Sequence, residues 1–452
     1  MKRKIKKMLG IQPEPKPSVY VNMTAENLGI SYEEALAKMN EVREKYGVPF
    51  STYVAKHYEQ CQTDEEIEAK IKAQKRRNNR ELKKLCNVTG WTKEEAKKET
   101  ERIHEKFHIS VKKYYSQELY LLSDEEIEAK LQENKEKRKA ELQSMIEMSG
   151  WSEAKLKAHM KYAWTKYGID AVDFRLIKAW RFTREELGEL SSVSTTRMLA
   201  KKYNHGKGPA ILANKLAFDR TYGDLIQRKF WCNDELATYE NFCEFLDGLD
   251  EFIVKPLDLF QARGVHKVKV PEDKKAMYDD YMSKPKILLE EVIRQHSDIN
   301  AIYDKSVNTV RIVTLLKDDV CHILCAFMRI GKGGSVVDNM VAGGMIAGVD
   351  EVTGIVNTGG IDSDGNYHLV HPDTGTAIKG FQIPNFEMVK EIAENSIRKD
   401  PGVNYVGWDI AVCQDKAVII EGNTLPGLMA YQMPYLQEDP IEPKLYKFKP
   451  YL

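Results

Sequence analysis

Residues 407–423 read GWDIAVCQDKAVIIEGN, and this stretch decides how the back half of the chain folds. Two apolar runs flank a short polar segment around Asp415, a pattern that predicts two antiparallel strands joined by a tight turn. If the turn centres on Asp415, Asp409 and Glu421 lie opposite each other, with β-carbons about 4.5–5.5 Å apart on one face. Asn423 follows two residues later, so its side chain projects to the same face.

These three side chains need a partner. Like charges placed directly opposite each other destabilise a sheet, so something must compensate for Asp409 and Glu421. Two carboxylates and the amide oxygen of Asn423 are hard oxygen ligands, the set that Mg²⁺ prefers when it also bridges phosphates. The hairpin therefore predicts a Mg²⁺ site. The alternative is a solvated surface pair without metal, which the apolar flanks of both strands disfavour.

The residues before the hairpin alternate between strand and helix signals. The runs at 252–256, 286–293, 307–316 and 320–330 are rich in β-branched residues, and the last two are separated by Lys317-Asp318-Asp319, a turn signal. Residues 387–398 have helical spacing. Antiparallel strands with interspersed helices indicate an α+β domain over residues 191–452.

The front half, residues 21–190, repeats itself about every 60 residues. TDEEIEAK at 63–70 returns as SDEEIEAK at 123–130 and, degraded, as TREEL at 183–187. Ser31, Thr92 and Ser152 occupy helix N-cap positions in equivalent places. Such units cannot bury their apolar faces alone, so we expect an all-α array of three stacked helical repeats. Its predicted role is to bind a protein or acceptor partner, and the alternative is a structural cap.

Composition limits the partners and the compartment. Lys plus Arg equals Asp plus Glu at 68 each, so the chain has no global positive field to bind nucleic acid. Residues 1–20 form a basic tail and a proline-rich linker without the apolar core of a signal peptide. With no transmembrane run, we expect a cytoplasmic protein whose basic tip could touch an anionic membrane at its periphery.

The hairpin also resembles the ATP-grasp superfamily, whose Asp…Glu-x-Asn strand pair holds Mg²⁺ on ATP. The resemblance is closest to the sugar-transfer-associated ATP-grasp family and covers residues 191–433. It rests on an ordered set of segments: 252–256, 289–293, 306–314, 338–344, 371–373 and the hairpin. It implies an ATP-grasp fold, in which two α+β subdomains clamp ATP.

The resemblance also implies roles for residues at matching positions. Lys215 and Lys255 would bind the ATP phosphates, and Arg311 would reach the γ-phosphate in the transition state, which makes Lys255 and Arg311 the implied catalytic residues. The family's phosphate-covering loop is usually glycine-rich, but here it has a single glycine, so Gln261 or Arg263 would cover the phosphates instead. The remaining implied contacts are the hinge strand at the adenine (Glu290, Glu291, Ile293), the ribose (Asp298 or His296) and the substrate side (Asn339, His371).

The function implied is an ATP- and Mg²⁺-dependent carboxylate–amine ligase that forms an acylphosphate, with a small-molecule or glycan/peptide substrate in surface polysaccharide biosynthesis. One alternative is an ATP-dependent phosphotransferase on a sugar-type acceptor. Another is a non-catalytic nucleotide-binding scaffold, which the altered loop favours. For the ligase, we expect Asp409→Asn or Glu421→Gln to abolish turnover and leave the fold intact.

Overall fold

The computed structural model describes residues 17–48, 50–55, 58, 61, 63–257, 264–400 and 402–452. Contacts divide the chain into two compact units, residues 1–136 and 137–452. Within the described ranges, none of the helices combines the length and apolarity needed to cross a bilayer.

The first unit is helical. Its helices are α1 (Pro17–Leu28), α2 (Tyr32–Tyr46), α3 (Phe50–Ala55), α4 (Asp64–Thr89), α5 (Lys93–Phe107), α6 (Val111–Ser116) and α7 (Asp124–Ser149). Helix α7 continues past residue 136 into the second unit. The predicted caps are present: Ser31 accepts the amide of Glu34, and Gly47 ends α2 in the left-handed conformation with φ 67°. The predicted tail and linker at residues 1–20 can be compared with the structure only from residue 17 onward. Residues 1–16 lie outside the described part, and α1 begins at Pro17, a residue that the first turn of a helix tolerates.

Helix lengths recur along the front half. Helices α2 and α5, and α8 (Glu153–Tyr167) in the second unit, each have 15 residues. Helices α3 and α6, and α9 (Ala171–Leu176), each have six, whereas α4 and α7 have 26. In the third position, the long helix is replaced by a short 3₁₀ turn, Glu186–Glu189. The interpretation as three repeats stays a prediction.

The third predicted repeat shares a hydrophobic core with the back half of the chain. Phe174 and Leu187 are fully buried in one cluster with Ile361 and Met433. The division into compact units therefore falls inside α7, and not at the expected boundary between residues 190 and 191.

The rest of the second unit is α+β, as predicted. Its helices are α10 (Val193–Tyr203), α11 (Gly208–Leu212), α12 (Lys215–Thr221), α13 (Gly223–Ile226), α14 (Tyr239–Leu246), α15 (Lys274–Met282), α16 (Ser297–Ile302), α17 (Phe386–Ile397) and α18 (Leu428–Gln432). Its strands are β1 (Phe230–Cys232), β2 (Glu251–Pro256), β3 (His266–Lys269), β4 (Ile287–Glu291), β5 (Thr309–Lys317), β6 (Val320–Ile330), β7 (Met345–Val349), β8 (Val356–Asp362), β9 (Tyr367–His368), β10 (Tyr405–Val412) and β11 (Ala417–Asn423).

The strands form two antiparallel sheets. The smaller has the order β1-β4-β2-β3, and the larger has the order β11-β10-β5-β6-β7-β8-β9. In the smaller sheet, Phe252 and Val254 pack with the aromatic residues of α14, so Lys255 projects from the opposite face. In the larger sheet, Ile312 and Trp408 pack in one core with residues of α17, so the residues that alternate with them face away from α17.

Candidate active site

The predicted pairing at the centre of the hairpin is confirmed. Asp409 on β10 lies opposite Glu421 on β11. The predicted register also holds for Trp408 opposite Gly422 and Gly407 opposite Asn423, but it is wrong on the turn side, because a β-bulge follows Asp409 and brings Ile410 opposite Ile419. Ile420 is the extra residue. A bulge bends the strand that contains it and re-aims nearby side chains, so it sets the direction of Glu421.

Two arginines compensate for the opposed carboxylates. The Asp409 side chain is 2% exposed, and Arg311 Nε donates to its Oδ1 over 2.5 Å while Arg311 Nη2 contacts Oδ2. Arg329 Nη1 donates to Oδ2 over 2.5 Å. Burial opposes ionisation of Asp409, but the two guanidinium groups outweigh it and hold the pKa of this carboxyl well below its ordinary value. Asp409 is therefore a buried anion.

A third carboxylate extends this network. Arg329 Nη2 donates to Asp338 Oδ1 over 2.8 Å, and Asp338 Oδ2 accepts from the amide and the hydroxyl of Thr309 at 3.1 and 2.5 Å. Burial raises the pKa of Asp338 in spite of Arg329. Two guanidinium groups thus serve three carboxylates, so the cluster has a surplus of negative charge when all are ionised.

Glu421 and Asn423 form the solvent-facing edge of the cluster. Asn423 Nδ2 donates to Glu421 Oε1 over 3.1 Å, which places the two side chains together as predicted. The Glu421 side chain is 55% exposed, and its Oε1 lies 3.8 Å from Arg311 Nη2. Desolvation of its inner part and the negative charge of Asp409 raise the pKa of Glu421.

The donors at this cluster fit a Mg²⁺ ion that also binds phosphates. An ionised carboxylate offers about four lone-pair positions, and three of those on Asp409 receive arginine donors. Asp409 therefore has room for one further contact, and Glu421 and the Asn423 oxygen supply the others. In the described part of the chain, no group of three or more His, Cys, Asp or Glu side chains forms a cage for a metal. Mg²⁺ is often bound by one or two carboxylates together with phosphates.

The two predicted phosphate-binding lysines both contact residues of the smaller sheet. Lys255 Nζ contacts the Glu290 carboxylate, and Lys215 Nζ donates to the Pro256 carbonyl over 3.2 Å. Burial lowers the pKa of Lys215, and the charge of Lys255 lowers it further, whereas Glu290 and Glu421 oppose the shift. Lys215 thus interacts with carboxylates of both sheets.

Glu290 is engaged through its side chain. The resemblance implies only a backbone contact of this strand with adenine, but the Glu290 carboxylate is 6% exposed and lies 3.3 Å from Arg228 Nε in addition to its contact with Lys255. Burial opposes its ionisation, yet Arg228 and Lys255 lower the pKa of Glu290 to about 2. The next residue, Glu291, bonds through its amide and its carboxylate to the backbone of Lys229, at 2.9 and 3.0 Å.

An apolar surface lies beside these charges. Ile293, Val307 and Ile420 are partly buried and pack around a small cluster that contains Cys413 and Val418. Apolar side chains of this kind suit contact with an adenine ring. Nearby, the carboxylate of Asp298 is 63% exposed, whereas His296 is largely buried and accepts the Asp298 amide through Nδ1 at 3.1 Å. Of the two candidates for the ribose, Asp298 is the one whose polar end is mainly exposed to solvent, although Ser297 donates to its Oδ1 over 3.4 Å.

The two predicted substrate-side residues differ. Asn339 is half-buried and caps a 3₁₀ turn, because its Oδ1 accepts the Val341 amide over 2.9 Å. His371 is fully buried: Nε2 bonds to the Gly331 carbonyl at 2.7 Å, and Nδ1 accepts the Asp373 amide at 3.2 Å. Both ring nitrogens of His371 are thus used within the protein, which corrects the implied substrate contact to a positioning role. Gln261 and Arg263 lie outside the described residues.

Two arginines of the site are absent from the sequence interpretation. Arg329 lies in the apolar strand β6, and an arginine pointing inward from such a strand needs an anion, the same signal that identifies Arg311. Arg228 lies in a short loop between α13 and β1 and has no pattern around it that distinguishes it from a surface residue.

Two lysines that contact one antiparallel sheet, together with a carboxylate pair on a second antiparallel sheet, are the arrangement expected of an ATP-grasp protein. A family model described as sugar-transfer associated ATP-grasp matches residues 194–438. This is more than half of the chain, and the protein belongs to this family.

Solved ATP-grasp ligases resemble the chain only distantly. They include D-alanyl-alanine synthetase A from Vibrio cholerae (13% identity, TM-score 0.32, covering 51% of this chain and 61% of that one). The ATP-grasp ligase PsnB with its minimal precursor has 15% identity and a TM-score of 0.33, and the match covers 55% of this chain and 63% of that one. VanG D-Ala:D-Ser ligase from Enterococcus faecalis has 14% identity and a TM-score of 0.32, and the match covers 54% of this chain and 62% of that one. The chain thus spans about three fifths of these proteins, and likeness at this level carries no argument about activity. No curated protein matches the sequence.

Proposed function

We propose that the protein is an ATP- and Mg²⁺-dependent ligase that joins a carboxylate to an amine through an acylphosphate. The observation that supports this most directly is that Lys215 and Lys255 contact the smaller sheet, while the Asp409–Glu421 pair lies on the larger sheet and the charge of Glu421 acts on Lys215. Cations for phosphate oxygens and carboxylates for a metal that bridges them are the two halves of a nucleotide site.

Each half has a distinct task. Lys255 exchanges its contact with Glu290 for a phosphate oxygen, and Lys215 binds beside it. Arg311 holds Asp409 in place and presents its remaining edge to the transferring phosphoryl group. Bound Mg²⁺ would be held by Glu421, Asn423 and the one open position of Asp409, and it would supply neutralisation of the phosphate charge.

The reaction needs no protein nucleophile. The substrate carboxylate attacks the γ-phosphorus, the bond to the ADP oxygen breaks, and an acylphosphate and ADP result. An amine then attacks the acyl carbon, phosphate leaves, and an amide forms with release of a proton. The protein contributes positioning and charge neutralisation, both of which the buried arginine–carboxylate cluster supports.

For the substrates, we propose a glycan, amino-acid or peptide component of a surface polysaccharide, in keeping with the family's description as sugar-transfer associated. The helical front half would bind the acceptor or a protein partner, and the protein would act in the cytoplasm or at the membrane periphery.

One observation favours the non-catalytic scaffold as second candidate. Three of the lone-pair positions on Asp409 are filled by arginine donors, which weakens its capacity to hold a metal. A nucleotide could then bind to Lys215 and Lys255 without being turned over.

The test is ADP release from Mg·ATP with pools of amino acids, uronic acids and amino sugars, followed by mass spectrometry of the products. A ligase gives ADP and a condensation product, and hydroxylamine traps its acylphosphate. ADP with a phosphorylated acceptor that hydroxylamine does not intercept indicates a phosphotransferase. Nucleotide binding without ADP release from any pool supports the scaffold.

A further inference from the structure

Arg228 is a buried cation with three partners. Its side chain is 3% exposed. Nη1 donates to the Ile419 carbonyl over 2.6 Å, Nε lies 3.3 Å from Glu290 Oε2, and Nη2 lies 3.5 Å from Asp219 Oδ1. The mechanism proposed above uses neither Arg228 nor Asp219.

The three partners belong to the three elements that carry the proposed nucleotide site. Ile419 lies on β11, two residues before Glu421. Glu290 lies on β4 and holds Lys255. Asp219 lies on α12, the helix that begins at Lys215. One guanidinium group therefore contacts the helix that carries Lys215, the carboxylate that pairs with Lys255 and the strand of the metal-binding residues.

The contact with Ile419 reaches an edge strand at an irregular point. β11 is the last strand of the larger sheet, and the bulge places Ile419 opposite Ile410. An edge carbonyl has no partner strand, so a donor from outside the sheet stabilises it. The neighbouring Gln227 carbonyl also docks on this hairpin, because it accepts Lys416 Nζ over 2.9 Å.

The contacts of Arg228 use the shape of its guanidinium group. Nη1 makes a hydrogen bond, whereas Nε and Nη2 make no hydrogen bond and approach the two carboxylates as ion pairs. A planar guanidinium group can approach a carbonyl and two carboxylates at once, whereas lysine offers a single point charge. Arg228 also provides Glu290 with a second cation. When Lys255 moves to a phosphate, Glu290 keeps a partner, so no buried anion is left unpaired.

We propose that Arg228 is a positioning residue that sets the separation between Lys215 and Lys255 on one side and Glu421 and Asn423 on the other. It also keeps Glu290 paired when Lys255 binds a phosphate. The inference rests on the proposed function, since it concerns the affinity of that same site for a Mg²⁺–nucleotide complex.

The test compares Arg228→Lys and Arg228→Met with the control Arg220→Met. Arg220 lies on the same helix as Lys215 and directly follows Asp219. Its side chain is 40% exposed and pairs with Asp234 over 2.7 Å, and among the described residues no hydrogen bond or ion pair joins its guanidinium group to the three partners of Arg228. Binding of Mg·AMP-PNP is measured by calorimetry, and hydrogen exchange of residues 417–423 is measured without nucleotide. Both Arg228 variants are expected to bind about tenfold or more weakly and to exchange faster at 417–423, while Arg220→Met behaves as wild type.

A merely structural role gives a different result. A lower melting temperature with wild-type affinity in the folded fraction overturns the proposal. If Arg228→Met does not fold, the test rests on Arg228→Lys. This variant keeps the buried positive charge and loses only the planar guanidinium group. If the wild-type protein binds no nucleotide, the proposed function fails, and unchanged exchange at 417–423 in Arg228→Lys then overturns the bridging role as well.

Discussion

Arg311 lies directly opposite Asp409 on the neighbouring strand and donates to both oxygens of its carboxylate. Because Arg329 contacts the same carboxylate, Asp409 is the counter-ion of two largely buried guanidinium groups. The residue assigned to the metal from the sequence is therefore also an anion on which the packing of two strands depends.

Asp409→Asn is expected to destabilise the fold, which revises the expectation drawn from the sequence alone. Removing one partner of a buried ion pair costs about 3–5 kcal/mol, a large part of the total stability of a typical domain. Urea unfolding measures this loss, and ADP release measures the loss of turnover. The control is Asp319→Asn, since Asp319 is 95% exposed in a turn with φ 60° that asparagine tolerates, and its effect is expected within about 0.5 kcal/mol. An Asp409→Asn protein as stable as wild type contradicts the role of Asp409 as counter-ion.

Glu421→Gln is expected to separate chemistry from stability. The Glu421 side chain is 55% exposed, and replacing it with glutamine removes a negative charge that is repelled by Asp409. The free energy of unfolding is therefore expected to stay within about 0.5 kcal/mol of wild type. Turnover is expected to fall about 10²-fold or more, because the metal loses its accessible carboxylate.

The pH dependence of metal affinity provides a second readout for Glu421. A carboxylate must be ionised to bind a metal, and the pKa of Glu421 is raised above its ordinary value. Wild-type Mg²⁺ affinity is therefore expected to fall as the pH decreases through that raised pKa, whereas this step is absent from Glu421→Gln. A titration of nucleotide binding against Mg²⁺ at several pH values compares the two. Identical profiles would falsify Glu421 as a ligand.

The parts of the site that follow from local patterning could be predicted from the sequence. The opposition of Asp409 and Glu421 required only a turn position and the two-residue period of a strand. The bulge after Asp409 could not be predicted, because it depends on how β11 fits the rest of the sheet. Arg228 could not be predicted either, since its three partners are contributed by segments that become neighbours only after folding.

The role of a residue was harder to infer than its position. Glu290 lies on the expected strand, but its carboxylate contact with Lys255 depends on how β2 and β4 align. The same is true of the boundary of the helical array. Helix lengths follow local signals such as the cap at Ser31. The shared hydrophobic cluster of Phe174 and Ile361, in contrast, depends on tertiary packing that local signals do not specify.

Asp219→Asn is expected to change how stability depends on pH. Burial first and Glu290 second raise the pKa of Asp219 to about 7, from an ordinary value of 3.8. The folded state therefore binds this proton more tightly than the unfolded state does, so the contribution of Asp219 is complete below about pH 4 and is lost as the pH rises through 7. Asparagine has no proton to lose.

Denaturant unfolding between about pH 4 and pH 8 compares the two proteins. Across this range, the free energy of unfolding of wild type is expected to fall relative to that of Asp219→Asn. The raised pKa of Asp219 implies a difference on the order of a few kcal/mol. The difference between the proteins is the informative quantity, because the pKa of Asp173 is also raised to about 7 and its contribution is common to both. Parallel curves would show that Asp219 is ionised throughout.

His371→Phe is expected to destabilise the protein without changing how it recognises substrates. Phenylalanine keeps the stacking on Tyr303, whose ring centroid lies 5.2 Å away, but it loses both hydrogen bonds and leaves the Gly331 carbonyl unsatisfied, at a cost of about 1–3 kcal/mol. His205→Phe serves as the control, because His205 is exposed and, among the described residues, its ring bonds only to the Lys202 carbonyl at the end of α10. KM values for ATP and for both substrates in the folded fraction are expected within about twofold of wild type. A raised KM for one substrate with unchanged unfolding would instead assign His371 a direct contact, which requires the loop at Gly331 to open and release the ring.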